Sequence, residues 1–365
     1  MYIFLLLSFL FINDGFLFKH HTKLTSKIKM NLYDKAKEYH DFYNKYKQPI
    51  LTTHSNLINY EEFAKFHNNS YSIFRKNWNL IHNANYDLQQ QNKNLVLGEN
   101  EFMDIIDFDH DYNCKNSMLH NVTQPLHNAN NYKKMINKPV QYLQTIFKDS
   151  SRFSWNDTGL LSPVKNQLSC GSCWAFSTTS SLETFMRKKN FTIDRLSEQE
   201  LVDCSEKNQG CNGGLMNLAY DYIIERKGLT SDKNYPYKAS HNKYCLRNIT
   251  REIGSNITEY AYIIPESILD MKYSVMQNPV SIALDADNIF FRFYKQGVID
   301  LPINISTTIN HAVLLVGFDH DEEGMYWIIQ NSWGEQWGDN GFCKIRVQPN
   351  EGTLLCQIYG VYPTK

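Results

Sequence analysis

The 365-residue chain lacks a later apolar run of the ~20 residues that a bilayer span needs, so no membrane span is expected after its first residues. It lacks net charge of either sign: the formal value is −1, which gives no reason to expect nucleic acid or an acidic surface as a partner. It lacks internal repeats, which excludes a solenoid or an array. Apolar content of 42 % beside 21 % charged residues excludes a disordered or fibrous chain and leaves a globular one, long enough for a processed leader and a large core.

What the chain does have begins with Tyr2 to Ile12, an apolar stretch too short to span a membrane and interrupted by Asn13, Asp14 and Gly15 before Phe16 to Phe18. It has neither a basic start nor an Ala-x-Ala pattern. It reads as a secretory signal peptide over residues 1–18, with a weak cleavage site near Gly15; a short buried N-terminal element is the alternative. Cysteine is plentiful, with 8 residues at 114, 170, 173, 204, 211, 245, 343 and 356. That density favours an oxidising compartment.

Residues 30 to about 110 are polar, Asn-rich and helical in pattern. Tyr39, Phe42, Tyr43 and Tyr46 share one helix face closed by Pro49, and a second helix is predicted from about Tyr60 to Gln91. Residues 116 to 148 carry little periodicity. From residue 150 the signals are denser. Helices are predicted over Cys173 to Lys189, after the capping box Ser197 to Glu200, over Gly214 to Lys227, and over Glu266 to Gln277. Strands follow at Val280 to Leu284, Ala312 to Phe318, Met325 to Ile329 and Gly341 to Val347, with Asp321 to Gly324 turning the middle pair into a hairpin. A helical half followed by a β half predicts an α+β fold of two subdomains with a cleft between them.

The segment Gln167-Leu-Ser-Cys-Gly-Ser-Cys173-Trp174 places Cys173 where a glycine turn gives way to a helix. A thiol is a weak nucleophile until ionised, and a helix N-terminus presents about half a positive charge to a thiolate. The competing reading is a Cys-x-x-Cys pair for zinc or redox exchange. Zinc needs a second ligand pair, which Cys204 and Cys211 do not supply at that spacing. His311, at the start of a predicted strand, is a candidate base, and Asn331 a candidate to orient its ring. Trp333 and Trp337 could roof that hydrogen bond, although tryptophan's usual role is core packing.

The string Cys170-Gly-Ser-Cys173-Trp-Ala-Phe176 resembles the nucleophile helix of the papain-like cysteine peptidases, and the resemblance covers residues 150 to 363. It implies the papain-like two-lobe α+β fold, with a helical lobe, a β-barrel-like lobe and the active site between them. It implies Cys173 as nucleophile, His311 as general acid/base, Asn331 as orienting residue and Gln167 as oxyanion-hole donor. By the same resemblance Gly213 and Gly214 line the strand along which substrate backbone lies, and Trp333 belongs to the binding site. Leu215, Met216, Ala283 and Ala312 line an apolar pocket for the second residue before the cleaved bond. Leu168 stands where the family usually has glycine. Implied disulfides are Cys170–Cys211 and Cys204–Cys245. The family's third bridge needs a cysteine just before His311, which is absent, so Cys343 and Cys356 are expected to pair with each other. Cys114 is left in the leader.

Gly98-x-Asn100-x-Phe102-x-Asp104 and the spaced set Phe74, Asn77, Ile81 and Asn85 resemble motifs of cathepsin-L-like leaders. The leading Glu and Arg of the helix motif are Phe66 and Ser70 here. The domain expectation is therefore a signal peptide over 1–18, a mainly helical inhibitory propeptide over 19–149 and a peptidase domain over 150–365. Tethering raises the effective concentration of such an inhibitor. Acid, by protonating carboxylates such as Asp104, is expected to release it. The resemblance implies a cysteine endopeptidase acting on protein and peptide substrates, without cofactor or metal. It further implies a monomer open to cystatin-like inhibitors, in the secretory pathway, an acidic compartment such as the lysosome, or outside the cell. A non-catalytic homologue that binds peptides in the same cleft is the alternative; it would usually have lost one of Gln167, Cys173, His311 and Asn331. The region Asn288 to Ile299, with its run Tyr294-Lys-Gln-Gly-Val-Ile299, is similar to cathepsins carried by insect viruses, and an animal or protist source is an equal alternative. Sequons at Asn68, Asn121, Asn156, Asn190, Asn248, Asn256 and Asn304 are glycosylation candidates.

Overall fold

A computed structural model describes residues 37–47, 68–105, 152–242, 244–246, 248–264, 267–300, 309–347 and 355–365, with side chains in the last stretch only from residue 360. The signal-peptide expectation, the leader–domain boundary, Cys114 and the sequons at Asn121 and Asn304 lie outside these residues.

The chain divides into two units. The first contains helix α1 (37–46), the start of helix α2 (Asn68–Gln90) and residues 103–105. The aromatic face predicted for α1 is its core. Tyr39 stacks on Phe42 at 5.9 Å, and both rings lie about 5 Å from Phe74 of α2. Asp104 is held by Lys47 at 2.9 Å, and the Asn77 amide donates to the Met103 carbonyl at 2.9 Å.

The second unit contains residues 79–102 and everything described from residue 152 on. Its leading segment carries the short strand β1 (Val96–Leu97), and the next strand is β2 (Phe153–Ser154). Helix α3 (Cys173–Lys188) matches the helix predicted over Cys173 to Lys189, in which Trp174, Phe176, Leu182, Phe185 and Met186 are the large apolar positions. The structure buries it on every side from Cys173 to Met186. Its small polar residues face the sheet and bond to backbone: the Ser177 hydroxyl donates to Val313 O at 2.7 Å and Ser181 to Pro279 O at 2.7 Å. A serine stripe therefore lets backbone approach backbone, a use of polar residues that periodicity alone does not show. Helix α4 (Glu198–Cys204) is capped by Ser197, whose oxygen accepts from Glu200 N at 2.9 Å. The box is only half closed, because the Glu200 carboxylate instead accepts from Thr230 N and Tyr222. Helix α5 (Met216–Arg226) ends on Lys227 in a left-handed conformation before Gly228.

Strand β3 (Tyr260–Tyr262), helix α6 (Ile268–Gln277), strand β4 (Val280–Leu284), the single-turn helix α7 (Ile289–Arg292) and strand β5 (Tyr294–Gln296) follow. The remaining strands are β6 (His311–Asp321), β7 (Gly324–Gln330), β8 (Phe342–Arg346) and β9 (Leu355–Pro363). Seven strands form one antiparallel sheet in the order β3-β9-β4-β6-β7-β8, with β2 alongside β6. The expected hairpin joins β6 to β7 with Asp321 opposite Gly324. The core lies between α3, α5 and this sheet, with Leu182, Met186, Met216, Tyr220, Ala283 and Ala312 in one cluster. Nothing in the sequence reading anticipated β3 or β9.

Both disulfides of the helical half are present, Cys170–Cys211 and Cys204–Cys245. The expected Cys343–Cys356 bridge is not: Cys343 is a free, buried thiol. Sheet order gives the reason. Cys343 lies on β8 and Cys356 on β9, and β7, β6 and β4 run between them. Strands are spaced by about 4.8 Å, whereas bridged cysteines need Cα atoms within roughly 7 Å.

Candidate active site

Short interlocking contacts build the site where the first turn of α3 meets the start of β6. Segment 165–167 is zipped to segment 332–334. Gln167 N donates to Ser332 O at 2.8 Å, Gly334 N donates to Lys165 O at 2.9 Å, and Asn166 and Trp333 form a bridge. Below it, the buried Lys165 ammonium lies 2.6 Å from both Glu183 and Glu198. The Ser162 hydroxyl donates to Glu183 Oε2, while the Leu196 N–H and the Thr179 hydroxyl share the Glu183 and Glu198 Oε1 atoms with Lys165. Burial and the neighbouring Glu183 charge push the Glu198 carboxyl up against the pull of Lys165. A carboxyl raised in the fold adds stability in acid that is lost as pH rises through its folded value.

Lys165→Met leaves these two carboxylates without their cation, and removing one partner of a buried pair typically costs about 3–5 kcal/mol. The variant is expected to unfold at clearly lower denaturant than wild type. Its deficit should be largest near neutrality and smallest in acid, where a proton can replace the ammonium. Denaturation curves across pH check this; a deficit equal at all pH values would contradict it.

Cys173 opens α3 and is fully buried, as is His311 at the first position of β6. The His311 Nε2–H donates to Asn331 Oδ1 at 2.8 Å. The same oxygen accepts from Ser332 N at 2.8 Å, which fixes the amide's orientation and hence the ring tautomer. Trp333 lies over the imidazole at 4.7 Å, and Trp337 packs edge-on against Trp333 at 5.4 Å. Phe291 of α7 completes the cage, 6.1 Å from His311 and 5.4 Å from Trp333.

His311 Nδ1 is thereby left without a hydrogen bond within the described residues. Without an anion at Nδ1, burial lowers the His311 pKa to about 4 although the Asn331 bond favours the charged ring. A thiolate there would act in the opposite direction. The Ala312 N–H points at the sulfur at 3.2 Å, a donor suited to an ionised Sγ.

Gln167 is fully buried and fixed at each end. Its Oε1 accepts from the Ser332 hydroxyl at 2.7 Å, and its Nε2 donates to Cys170 O at 2.9 Å. The Tyr237 hydroxyl donates to Gln167 O at 2.7 Å. Phe291, Ser332, Tyr237 and the Ala312 N–H escaped the sequence reading. Only the serine beside Asn331 carries a local signal.

Leu215, Met216, Ala283 and Ala312 belong to the same buried cluster as Cys173, and Ala283 pairs with Ala312 across β4 and β6. Gly213 has φ 114°, and a Cβ on Gly214 would meet Asn208 Oδ1 at 2.5 Å and Trp174 at 2.8 Å, so this stretch admits no side chain. Of the sequon asparagines, Asn156, Asn190, Asn248 and Asn256 are exposed.

Residues 93–102 run along this region. Strand β1 pairs with β5, and Asn85 both donates to Leu97 O and accepts from Leu97 N. Gly297 (φ 91°) is needed there, because a Cβ on it would meet Asn94 O at 2.3 Å. Lys93 bonds Asp300 at 3.2 Å and Glu323 at 3.3 Å, and the Asn100 amide donates to Arg292 O at 2.7 Å. Phe102 then packs edge-on against Trp333 at 4.9 Å, onto the ring that covers His311.

Comparison with known proteins agrees with this geometry. The family described as "Papain family cysteine protease" matches residues 150–362. Cathepsin L2 of Homo sapiens is 42 % identical over 204 residues, covering 54 % of this chain and 60 % of that protein. The chain thus spans about three fifths of that relative's length. Cysteine proteinase 3 of Dictyostelium discoideum is 33 % identical over 341 residues, 93 % of this chain and 90 % of that protein. Among solved structures, digestive procathepsin L2 from the larval midgut of Tenebrio molitor superposes with a TM-score of 0.70 at 28 % identity, covering 91 % of this chain and 100 % of that one.

Proposed function

Because the chain belongs to the papain family of cysteine proteases, we propose that it is a cathepsin-L-like endopeptidase made as an inactive precursor, with Cys173 as nucleophile and His311 as proton carrier. The observation that carries this reading is the ordered set Cys173, His311, Asn331 and Gln167. The sulfur opens a helix, the imidazole is fixed by Asn331 beneath Trp333, and a buried amide is clamped beside them.

In the proposed reaction the Cys173 thiolate attacks the peptide carbonyl carbon, and the C–S bond forms as the carbonyl electron pair moves onto oxygen. The Gln167 side-chain amide and the Cys173 N–H hold that oxyanion; one such donor is typically worth roughly 3–4 kcal/mol of barrier. Imidazolium Nδ1–H gives its proton to the departing amine as the C–N bond breaks, leaving a thioester. His311 then takes a proton from water, which attacks the thioester and restores the thiolate. Asn331 keeps Nδ1 turned toward the sulfur throughout, and Trp333 with Phe291 keeps water from the supporting bond.

Residues 19–149 are proposed as an inhibitory propeptide after a signal peptide at 1–18, and 150–365 as the peptidase domain. The β1–β5 pairing, the Lys93 contacts and Phe102 on Trp333 support this, since they occupy the approach to the site. Oxidised cysteines and exposed sequons support passage through the secretory pathway to an acidic compartment or the outside.

The four apolar residues Leu215, Met216, Ala283 and Ala312 support a preference for Leu, Phe or Val at the second residue before the cleaved bond. Profiling against a peptide library is expected to favour these over Lys or Asp at that position by roughly two orders of magnitude, since a charge would be desolvated there. Equal cleavage of charged and apolar peptides would overturn the assignment. No cleavage of any peptide by reduced, leader-free protein would overturn the protease reading itself.

A further inference from the structure

Six non-glycine residues among those described have left-handed backbone: Asn92, Leu168, Asn190, Lys227, Ala239 and Asn340. Three are asparagines, whose short polar side chains tolerate that conformation, and Lys227 closes a helix. Leu168, with φ 52°, is the one large apolar side chain of the set. It is also half exposed to solvent, at 50 %. Left-handed backbone and exposed apolar surface are both unfavourable for the fold, and at Leu168 they coincide.

The surroundings hold this turn rather than letting it relax. Leu168 N–H donates to Asn166 Oδ1 at 2.9 Å, and Asn166 is bridged to Trp333. On one side stands Gln167, buried and clamped by Ser332 and Tyr237; on the other, Cys170 is fixed by its disulfide to Cys211. Between these anchors only Leu168 and Ser169 are exposed. The leucine therefore follows directly on the side chain proposed to hold the oxyanion, at the rim of the place where a peptide bond would sit.

We propose that Leu168 is a specificity-determining residue whose side chain contacts an apolar substrate side chain at one of the two positions flanking the cleaved bond. The proposal rests on the protease reading above and adds a second apolar contact to the pocket around Leu215 and Met216. The strained turn presents hydrocarbon to the substrate at a point where folding alone would favour glycine or asparagine.

The test uses the full chain, brought to its active form in acid with a thiol reductant, on two sets of peptides. One set varies the flanking positions between Leu and Ala, and the other varies the second residue before the bond. Leu168→Gly fits the backbone and removes the side chain. It is expected to lower the Leu-over-Ala ratio of kcat/KM at one flanking position about tenfold, while leaving the ratio at the second residue in place. Leu168→Asn, which tolerates the conformation and keeps polar bulk, should lose the same ratio, and Leu168→Met should restore most of it. Unchanged flanking ratios in both Gly and Asn variants would overturn the proposal while the enzyme remains a protease. A wild type that cleaves no peptide would overturn the protease reading and this inference together.

Discussion

Cys173→Ala is expected to abolish hydrolysis, lowering kcat by roughly six orders of magnitude, the size of effect seen when a protease loses its nucleophile. It should also remove labelling by an epoxide thiol inhibitor. No other described sulfur can substitute. Cys170, Cys204, Cys211 and Cys245 are in bridges, and the free Cys343 is buried with its thiol pushed well up by desolvation. The fold should survive, because a cysteine-to-alanine change removes one atom from a site whose shape is set by Trp174, Ala312 and the 165–167 segment. An alanine variant that labels and turns over like wild type would show the nucleophile to be misassigned.

The second large effect is expected from His311→Ala. Proton transfer by a positioned side chain is typically worth roughly 10²–10⁴-fold in rate, and this imidazole is proposed to serve both steps. Its electrostatic role adds to that. Alone in its apolar cage the ring is driven neutral, to about 4, so at mildly acid pH it would carry no charge. A facing thiolate favours the imidazolium, and the imidazolium in turn favours the thiolate. The sign follows for activity. The charged pair forms only above the pH at which sulfur loses its proton, and it fails as pH rises past the imidazolium's own value. Both limits should vanish in the alanine variant, together with most turnover, as measured by initial rates across pH.

Most of the helical half was legible in the sequence because its signals are local. Ser197 before Glu200 opens α4, Gly228 closes α5, and the helix after Gly171 begins at Cys173 as the turn predicts. The β6–β7 hairpin was legible for the same reason. What escaped depends on contacts between distant segments. Strand β9 joins β4 to β3 late in the chain, and α7 delivers Phe291 to the histidine from a four-residue helix too short to show a period. The cysteine pairing failed at this point: Cys343 and Cys356 are the two left over once the family's third bridge is missing, and being left over carries no information on strand order. The proposed catalytic set could be named from the sequence because its residues stand in a motif. Their supports, Ser332 on Gln167 and Ala312 N–H on the sulfur, are single contacts without one.

The central claim is that an ionised sulfur at residue 173 is sustained by the imidazole at residue 311. The rate of alkylation of Cys173 as a function of pH, in reduced and leader-free protein, tests it most directly. Wild type should react fast and nearly evenly from mildly acid pH upward, while His311→Ala should shift toward the free-thiol range near about 8.5. A wild-type profile that rises only near that value, and overlays the variant, would contradict the account.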